Sequence, residues 1–392
     1  MKLKSLHIQN FRALEDFTVQ KLGRLNLIVG KNNSGKSSVL EALRIYAGSA
    51  NRALLNSIAA EHDEKQMIET ESFNEDDEFP YASFFTGRCF PEDGKTIFIG
   101  EHGNLLQSIQ LSHTYLIETK DTSSDENGET NTRIRRVPIA KSDIKITDYG
   151  NLAQAIKVLK NNNRSSTILL DEASSLRSLG SLLDVKETLP CSYIPTQFVL
   201  LDELADEWDK ITLTEYEDIV RKALKLIESK FENISFVKDD GFSALSSLSR
   251  RARGFKRSAI VKMENIKHPV PLKSMGDGML RVLQLALKIY PAKGGFMLID
   301  EFENGLHFSV QEKVWHLLFK LAEQLDIQVF ATTHSWDCIE SFAKVAIQHE
   351  NIEGVLFRVG RSVRTSDNGK IIATEFNEEQ LANLTQADVE VR

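Results

Sequence analysis

Residues 3–9 alternate apolar and polar side chains around Leu3, Leu6 and Ile8, the period of a half-exposed strand. Leu25–Val29 reads instead as a continuous run, apolar apart from Asn26, the pattern of a strand buried on both faces. Gly30 to Lys36 interrupts that run, and Leu40, Leu43 and Ala47 then fall at helical spacing. The pattern predicts strand, glycine-bearing loop, helix. Further on, 96–101 and 108–118 flank His102-Gly103-Asn104 and read as an antiparallel hairpin. Residues 120–132 hold few apolar side chains and are expected to form a long flexible loop. The acidic run at 61–78, with Glu75-Asp76-Asp77-Glu78, is expected to be a solvated loop.

The middle of the chain reads as helical. Thr214 and Glu217 form a capping box before Ile219, Ala223, Ile227 and Phe231, and no sustained heptad predicts a coiled-coil arm. The last third returns to alternating elements. A helix is expected at 280–290, a buried strand at Phe296–Ile299 and a helix opened by Ser309 and Glu312 that ends near 325. A strand at 328–332, a helix near 337–344 and strands near 354–359 and 370–375 complete it. Strands and helices alternate at both ends, so the expected fold is α/β, one core assembled from 1–150 and 259–392. Residues 151–258 are then a mainly helical insertion. Length alone (392 residues) suggests two to three structural units, and the pattern replaces that with a single split head.

Charge narrows the partners. Lys and Arg total 48 against 56 Asp and Glu, a net charge of −8, which excludes a uniformly basic nucleic-acid coat. Any contact with DNA or another nucleic acid must use a local patch. Arg250, Arg251, Arg253, Lys256 and Arg257 form one cluster, readable either as a phosphate contact or as a solvated basic turn. Cys89, Cys191 and Cys338 are far apart, which argues against a disulfide scaffold or a zinc cluster and fits a reducing cytoplasm. No apolar run approaches the ~18 residues of a membrane span, and the opening residues lack a signal-peptide pattern. A cytoplasmic protein with no membrane partner is expected.

Chemistry enters with Gly30-Lys31-Asn32-Asn33-Ser34-Gly35-Lys36-Ser37, a complete phosphate-loop match between a buried strand and a helix that continues through Ser38. Backbone N–H groups and the helix N-terminus would face phosphate oxygens, Lys36 would reach the β/γ oxygens, and the Ser37 hydroxyl would bind Mg²⁺. A nucleoside triphosphate, ATP with Mg²⁺, is the expected ligand. A carboxylate at a second strand tip must complete the metal site. Three segments qualify by pattern: Thr167-Ile-Leu-Leu-Asp171-Glu172, Phe198-Val-Leu-Leu-Asp202-Glu203 and Phe296-Met-Leu-Ile-Asp300-Glu301. Only the third lies between Ser274-Met-Gly276-Asp-Gly278 and Thr332-Thr-His334-Ser335. Asp300 and Glu301 are therefore chosen, and the other two pairs are read as helix-start acids stabilised by the helix dipole.

This order of motifs resembles the ABC-type ATPase heads of the SMC/RecF/OLD group, with Ile8-Gln-Asn10-Phe11-Arg12 similar to that group's opening motif. Asn32-Asn33 and Glu301-Phe-Glu303-Asn304-Gly305-Leu306-His307 look closest to OLD-like ATPases of split anti-phage defence systems. The resemblance implies an ABC-type P-loop head: a mixed sheet flanked by helices, with an antiparallel β subdomain. It also implies dimerisation or higher oligomerisation of the chain with itself around ATP. Arg12 and residues from Gly30 to Ser38 would bind nucleotide in one copy; Ser274, Gly276 and Gly278 would reach it from the opposite copy. Asp300 would hold Mg²⁺, Glu301 would polarise the attacking water, and His334 would contact the terminal phosphate. No motif singles out a glutamine-loop residue, for which Gln66 and Gln107 are the candidates. The stretch after His334 is too short for the Toprim nuclease that many OLD proteins carry. The expected role is thus an ATPase controlling a separately encoded effector, a Toprim-type nuclease; the alternative is a RecF-like repair ATPase that loads other proteins on DNA. A transporter subunit is a third class, against which the Ser-Met-Gly-Asp-Gly signature argues.

Overall fold

The computed structural model describes residues 2–64, 80–124, 130–145, 151–170, 188–238, 257–349 and 351–376. In chain order the strands are β1 Leu6–Phe11, β2 Leu14–Val19, β3 Leu25–Val29, β4 Ile97–Glu101, β5 Asn104–Ser124, β6 Thr130–Ile139, β7 Leu152–Lys160 and β8 Arg164–Leu169. They continue as β9 Cys191–Ile194, β10 Phe231–Lys238, β11 Arg257–Met263, β12 Val270–Pro271, β13 Phe296–Ile299, β14 Gln328–Thr333, β15 Gly354–Arg361 and β16 Ile371–Phe376. The α-helices are α1 Lys36–Ala47, α2 Arg52–Glu61, α3 Leu201–Ile211, α4 Glu215–Ile227, α5 Asp277–Ile289, α6 Phe308–Gln324 and α7 Trp336–Gln348.

The two ends of the chain interleave in one sheet, ordered β16-β15-β3-β14-β13-β9. Five of its strands, β15, β3, β14, β13 and β9, run parallel, and β16 closes one edge antiparallel to β15. Parallel strands need helical crossovers that cover both faces, so their side chains are mostly apolar without alternation, and the buried Asn26 and Gln328 bond to backbone carbonyls. Accordingly every residue of β3, β13 and β14 is buried. On one face Trp315 of α6 stacks on Phe302 and meets the edge of Phe342 from α7. On the other, Tyr46 of α1 stacks on Phe296, which meets the edge of Phe330. This is the mixed α/β head expected from the pattern.

The antiparallel subdomain runs β2-β1-β4-β5-β7-β8, with β6 paired to the far part of β5. Here the expectations need correction. The segment 120–132 is not simply a loop: β5 continues to Ser124 and pairs with β6 from Thr130. Its ladder is held by backbone hydrogen bonds, which need no apolar content. The described residues of 151–258 are not mainly helical either: β7, β8, β9, β10 and the start of β11 accompany α3 and α4. The strand β9 is four residues between Pro190 and Pro195, too short to carry a period, and tertiary pairing with β13 makes it a strand. The helix α4 stops at Ile227, and Phe231 opens β10. Residues 198–200 lead directly into α3 and form no strand. The cap of α6 is His307, whose ring accepts from the Ser309 N–H. Of the acidic run, Glu61 and Glu64 are engaged in ion pairs with Arg44 and Arg12, and 65–78 lies outside the described residues.

The β9–β13 junction is the tightest backbone approach in the core. Phe296 N–H donates to Pro190 O at 2.8 Å, and a Cβ on Gly295 would sit 1.9 Å from that oxygen. Gly295→Ala must therefore push β9 off the sheet edge. We expect a loss of about 1–3 kcal/mol in urea unfolding; an unchanged midpoint would contradict this packing.

Candidate functional site

The phosphate loop lies where β3 hands over to α1. Gly35 is the N-cap of α1 at φ 102°, ψ 7°, a conformation that a side chain would oppose. That turn lets the helix begin with no side-chain cap and no acid in its first turn, leaving N–H groups free for an anion. Lys36 is buried, and its Nζ donates to Gly30 O at 2.7 Å and Lys31 O at 2.9 Å. Burial lowers its pKa, while the carboxylates of Asp300, Glu301 and Glu303 act in the opposite direction. The ammonium thus sits in a field of three acids with its donors turned into the loop.

Asp300 follows β13 and is held by hydroxyls from three other elements. Thr332 Oγ1 of β14 donates to its Oδ1 at 2.6 Å. Thr196 Oγ1, just after β9, and Ser37 Oγ of α1 donate to its Oδ2 at 3.3 and 3.4 Å. Carboxylate and hydroxyl oxygens at one strand tip are the hard donors that Mg²⁺ prefers, so the residues fit the metal expected there. Thr332 Oγ1 also accepts from the Glu301 N–H at 2.8 Å, and Glu301 itself adopts φ 48°. A non-glycine residue in that region is uncommon, and such outliers cluster at functional sites.

Behind the acids lies Arg281, on the helix that the Ser274–Gly278 segment opens. It is fully buried, and donates from Nη1 to Pro195 O (3.0 Å) and from Nη2 to Asp300 O (2.8 Å) and Glu301 O (2.7 Å). Burial pushes its guanidinium down to about 10, against the pull of Glu303, Asp300 and Glu301. The side chain therefore ties α5 to the backbone that presents both acids.

His334 stands at the end of β14, half exposed, its Nδ1 3.3 Å from Glu303 Oε1 and 3.6 Å from Glu301 Oε1. Lys36, Ser37, Asp300, Glu301 and His334 are thus brought together at the C-terminal edge of β3, β13 and β14. The signature segment is close by. Gly276 caps α5, a Cβ on Gly278 would lie 3.1 Å from Gly305 O, and the exposed Ser274 donates from Oγ to Pro271 O at 2.7 Å.

Other expected residues sit differently. Arg12 is not free for a nucleotide: it forms ion pairs with Glu41 at 2.6 Å and Glu64 at 3.0 Å, because α1 and the end of α2 bring two buried carboxylates to it. His62 joins through Glu41, and Arg88 through Glu64. Asp202 and Glu203 do lie in the first turn of α3, and Asp202 Oδ1 accepts from the Arg257 N–H at 2.6 Å. Asp171 and Glu172 lie outside the described residues, as do Arg250, Arg251, Arg253 and Lys256. Arg257 is described, and its guanidinium is paired with Asp209 at 2.7 Å. Gln66 is outside the described residues, and Gln107 belongs to β5 in the antiparallel sheet. Thr196 and Arg281 went unnoticed in the sequence. Two prolines bracketing Cys191–Ile194 were the available signal for the first, and an arginine within the largely apolar run 279–287 for the second.

A family profile described as AAA ATPase domain matches residues 1–339. An ATP/GTP phosphatase from Helicobacter pylori is 22% identical over 357 residues, covering 88% of this chain and 88% of that protein. The DNA replication and repair protein RecF of Francisella tularensis subsp. novicida is 33% identical over 79 residues, 20% of this chain and 23% of RecF. Among solved structures, the SMC head domain from Thermotoga maritima aligns at TM-score 0.43 and 12% identity, over 96% of this chain and 100% of that one.

Two outcomes follow from the geometry. Arg281→Met leaves three buried carbonyls without their donor and should cost about 3 kcal/mol or more in denaturant unfolding; a loss under about 1 kcal/mol would show that the carbonyls are otherwise satisfied. His62, whose pKa is raised by its hydrogen bond to Glu41, contributes stability in full below its ordinary value of 6.5 and loses it as pH rises through the raised value. His62 is partly exposed and screened, so His62→Ala should cost only about 0.5 kcal/mol at pH 5.5 and nothing measurable at pH 9. An equal cost at both would exclude the ion pair.

Proposed function

The chain belongs to the AAA ATPase domain family, and from that premise we propose that it binds ATP at the Gly30–Ser38 loop and hydrolyses it at Asp300, Glu301 and His334. The observation that carries the reading is the convergence of Lys36, Ser37, Asp300, Glu301 and His334 at one edge of the parallel sheet. Lys36 neutralises the terminal phosphates once its donors leave the Gly30 and Lys31 carbonyls. Ser37 and Asp300 would hold Mg²⁺, which would supply charge neutralisation for the phosphates. Glu301, half exposed and turned by its unusual backbone, is placed to accept the proton of an attacking water. His334 is placed to donate to the terminal phosphate.

Ser274 and Gly276 are exposed at the start of α5, with Gly278 partly exposed beside them. They support a reading in which a second copy's nucleotide docks there, making the chain a dimer or higher oligomer whose closure reports ATP. The output of that closure is control of a separately encoded effector, a Toprim-type nuclease in anti-phage defence, in line with the OLD-like Asn32-Asn33 loop. A second reading, a DNA repair ATPase acting as a DNA-bound loader, is favoured by the stretch shared with RecF. Copurification separates the two: a nuclease subunit supports the first, and duplex DNA with DNA-stimulated turnover supports the second. No described helix is long and apolar enough to cross a membrane.

Glu301→Gln should bind ATP normally, lose turnover by ~10²-fold or more and accumulate a dimer on size exclusion. Asp300→Asn should lose turnover as well, whereas Asp202→Asn should stay within about twofold, because its hydrogen bond from the Arg257 N–H survives the change. Wild-type turnover in Glu301→Gln would sink the assignment of the base.

A further inference from the structure

Two residues beyond Glu301, the chain turns back over the end of β14 and aims a second glutamate at the histidine. Glu303 is largely buried. Its Oε1 accepts from the His334 N–H at 3.0 Å and the Ser335 N–H at 3.1 Å, and stands 3.3 Å from His334 Nδ1. Helix α7 begins one residue later, its N-cap Ser335 making no side-chain cap hydrogen bond. Glu303 therefore supplies from a distant turn an acceptor to the two N–H groups just before this helix start, alongside Thr333 Oγ1 on the Ser335 N–H at 3.0 Å and Asp337 in the first turn. Its other oxygen, Oε2, is buried and without a hydrogen-bond partner. A carboxylate so placed is expensive unless the groups it holds require it.

Resting on the hydrolytic reading above, we infer that Glu303 is a positioning residue that fixes His334 by its backbone and its Nδ1, so that Nε2 is the ring atom presented to the terminal phosphate. With Nδ1 facing a carboxylate, the ring carries its proton there. Rotation that would exchange the two nitrogens breaks this contact. The same oxygen holds the N–H groups of His334 and Ser335, so ring and backbone move together. Glu303 also follows Glu301 on one short turn, linking the base and the phosphate-sensing histidine through a chain of two residues.

The test is steady-state ATPase kinetics of Glu303→Ala, Glu303→Gln, His334→Ala and the double variant Glu303→Ala/His334→Ala, each with a thermal melt. Expected is a fall in kcat of about tenfold for Glu303→Ala, with KM for ATP within about twofold and partial rescue by Glu303→Gln, whose amide oxygen still accepts. In the His334→Ala background, removing Glu303 should change kcat by less than about twofold, because the group it positions is gone. Wild-type kcat in Glu303→Ala overturns the inference, and so does an undiminished loss in the His334→Ala background. If Glu303→Ala does not fold, Glu303→Gln is compared in both backgrounds under the same criteria, with about threefold as the expected loss. A wild-type protein without turnover overturns the hydrolytic reading and this inference together. An active wild type with an unaffected Glu303→Ala overturns this one alone.

Discussion

The hydrogen bond from Thr332 to Asp300 is the contact on which the arrangement of the site turns. It joins the tips of β13 and β14 side chain to side chain, and the same hydroxyl accepts the N–H of Glu301. One threonine therefore sets both the direction of the Asp300 carboxylate and the turn that carries Glu301. Thr196 and Ser37 complete the grip on Asp300 from the sheet edge and from the phosphate-loop helix. The carboxylate is thus oriented by four elements far apart in sequence, which is the preorganisation that electrostatic catalysis requires.

Charge balance explains why such a cluster of acids is tolerated. Asp300, Glu301 and Glu303 lie within the field of Lys36 on one side and Arg281 on the other. Arg281 makes no carboxylate pair in this arrangement; its donors go to backbone carbonyls, and its charge acts over a short distance through the low-dielectric core. Because Arg281 rides on α5, it ties the helix capped by Gly276 to the backbone under both acids.

The periphery follows a different logic. The antiparallel sheet packs its apolar side on α1, and Arg12 at the β1–β2 turn locks to Glu41 and Glu64 in a nearly buried pair network. A buried cation with two carboxylates specifies how this sheet docks on the phosphate-loop helix more than it adds stability. Arg12 thereby belongs, in this structure, to the joint between the two sheets, and the resemblance that placed it at the nucleotide had no way to see Glu64 arriving from the end of α2.

What the sequence determined by itself was whatever local chemistry demands. The phosphate loop was legible because glycine readily takes the backbone of Gly35 and a mostly apolar run such as Leu25–Val29 suits a place between parallel strands. The strand at Phe296–Ile299, the acids after it and His334 after β14 were legible for the same reason, whereas the core also takes Ile194, Leu204, Trp208 and Phe231 from the middle of the chain. Tertiary structure decided the rest. Cys191–Ile194 is a strand only because β13 pairs with it, and Thr196 reaches Asp300 only through that pairing. The outer part of the β5–β6 ladder, from Asp121 to Ser124 against Thr130 to Arg133, carries no apolar signal, since its pairing is backbone hydrogen bonding. Arg281 looked like one more residue of an amphipathic helix, yet burial against the carbonyls of Pro195, Asp300 and Glu301 turned it into the tie between signature and acids. A sequence shows which groups are present and which local backbone they accept. Which distant group each one meets is settled by packing, where the cost of an unpaired buried charge or carbonyl selects the partner.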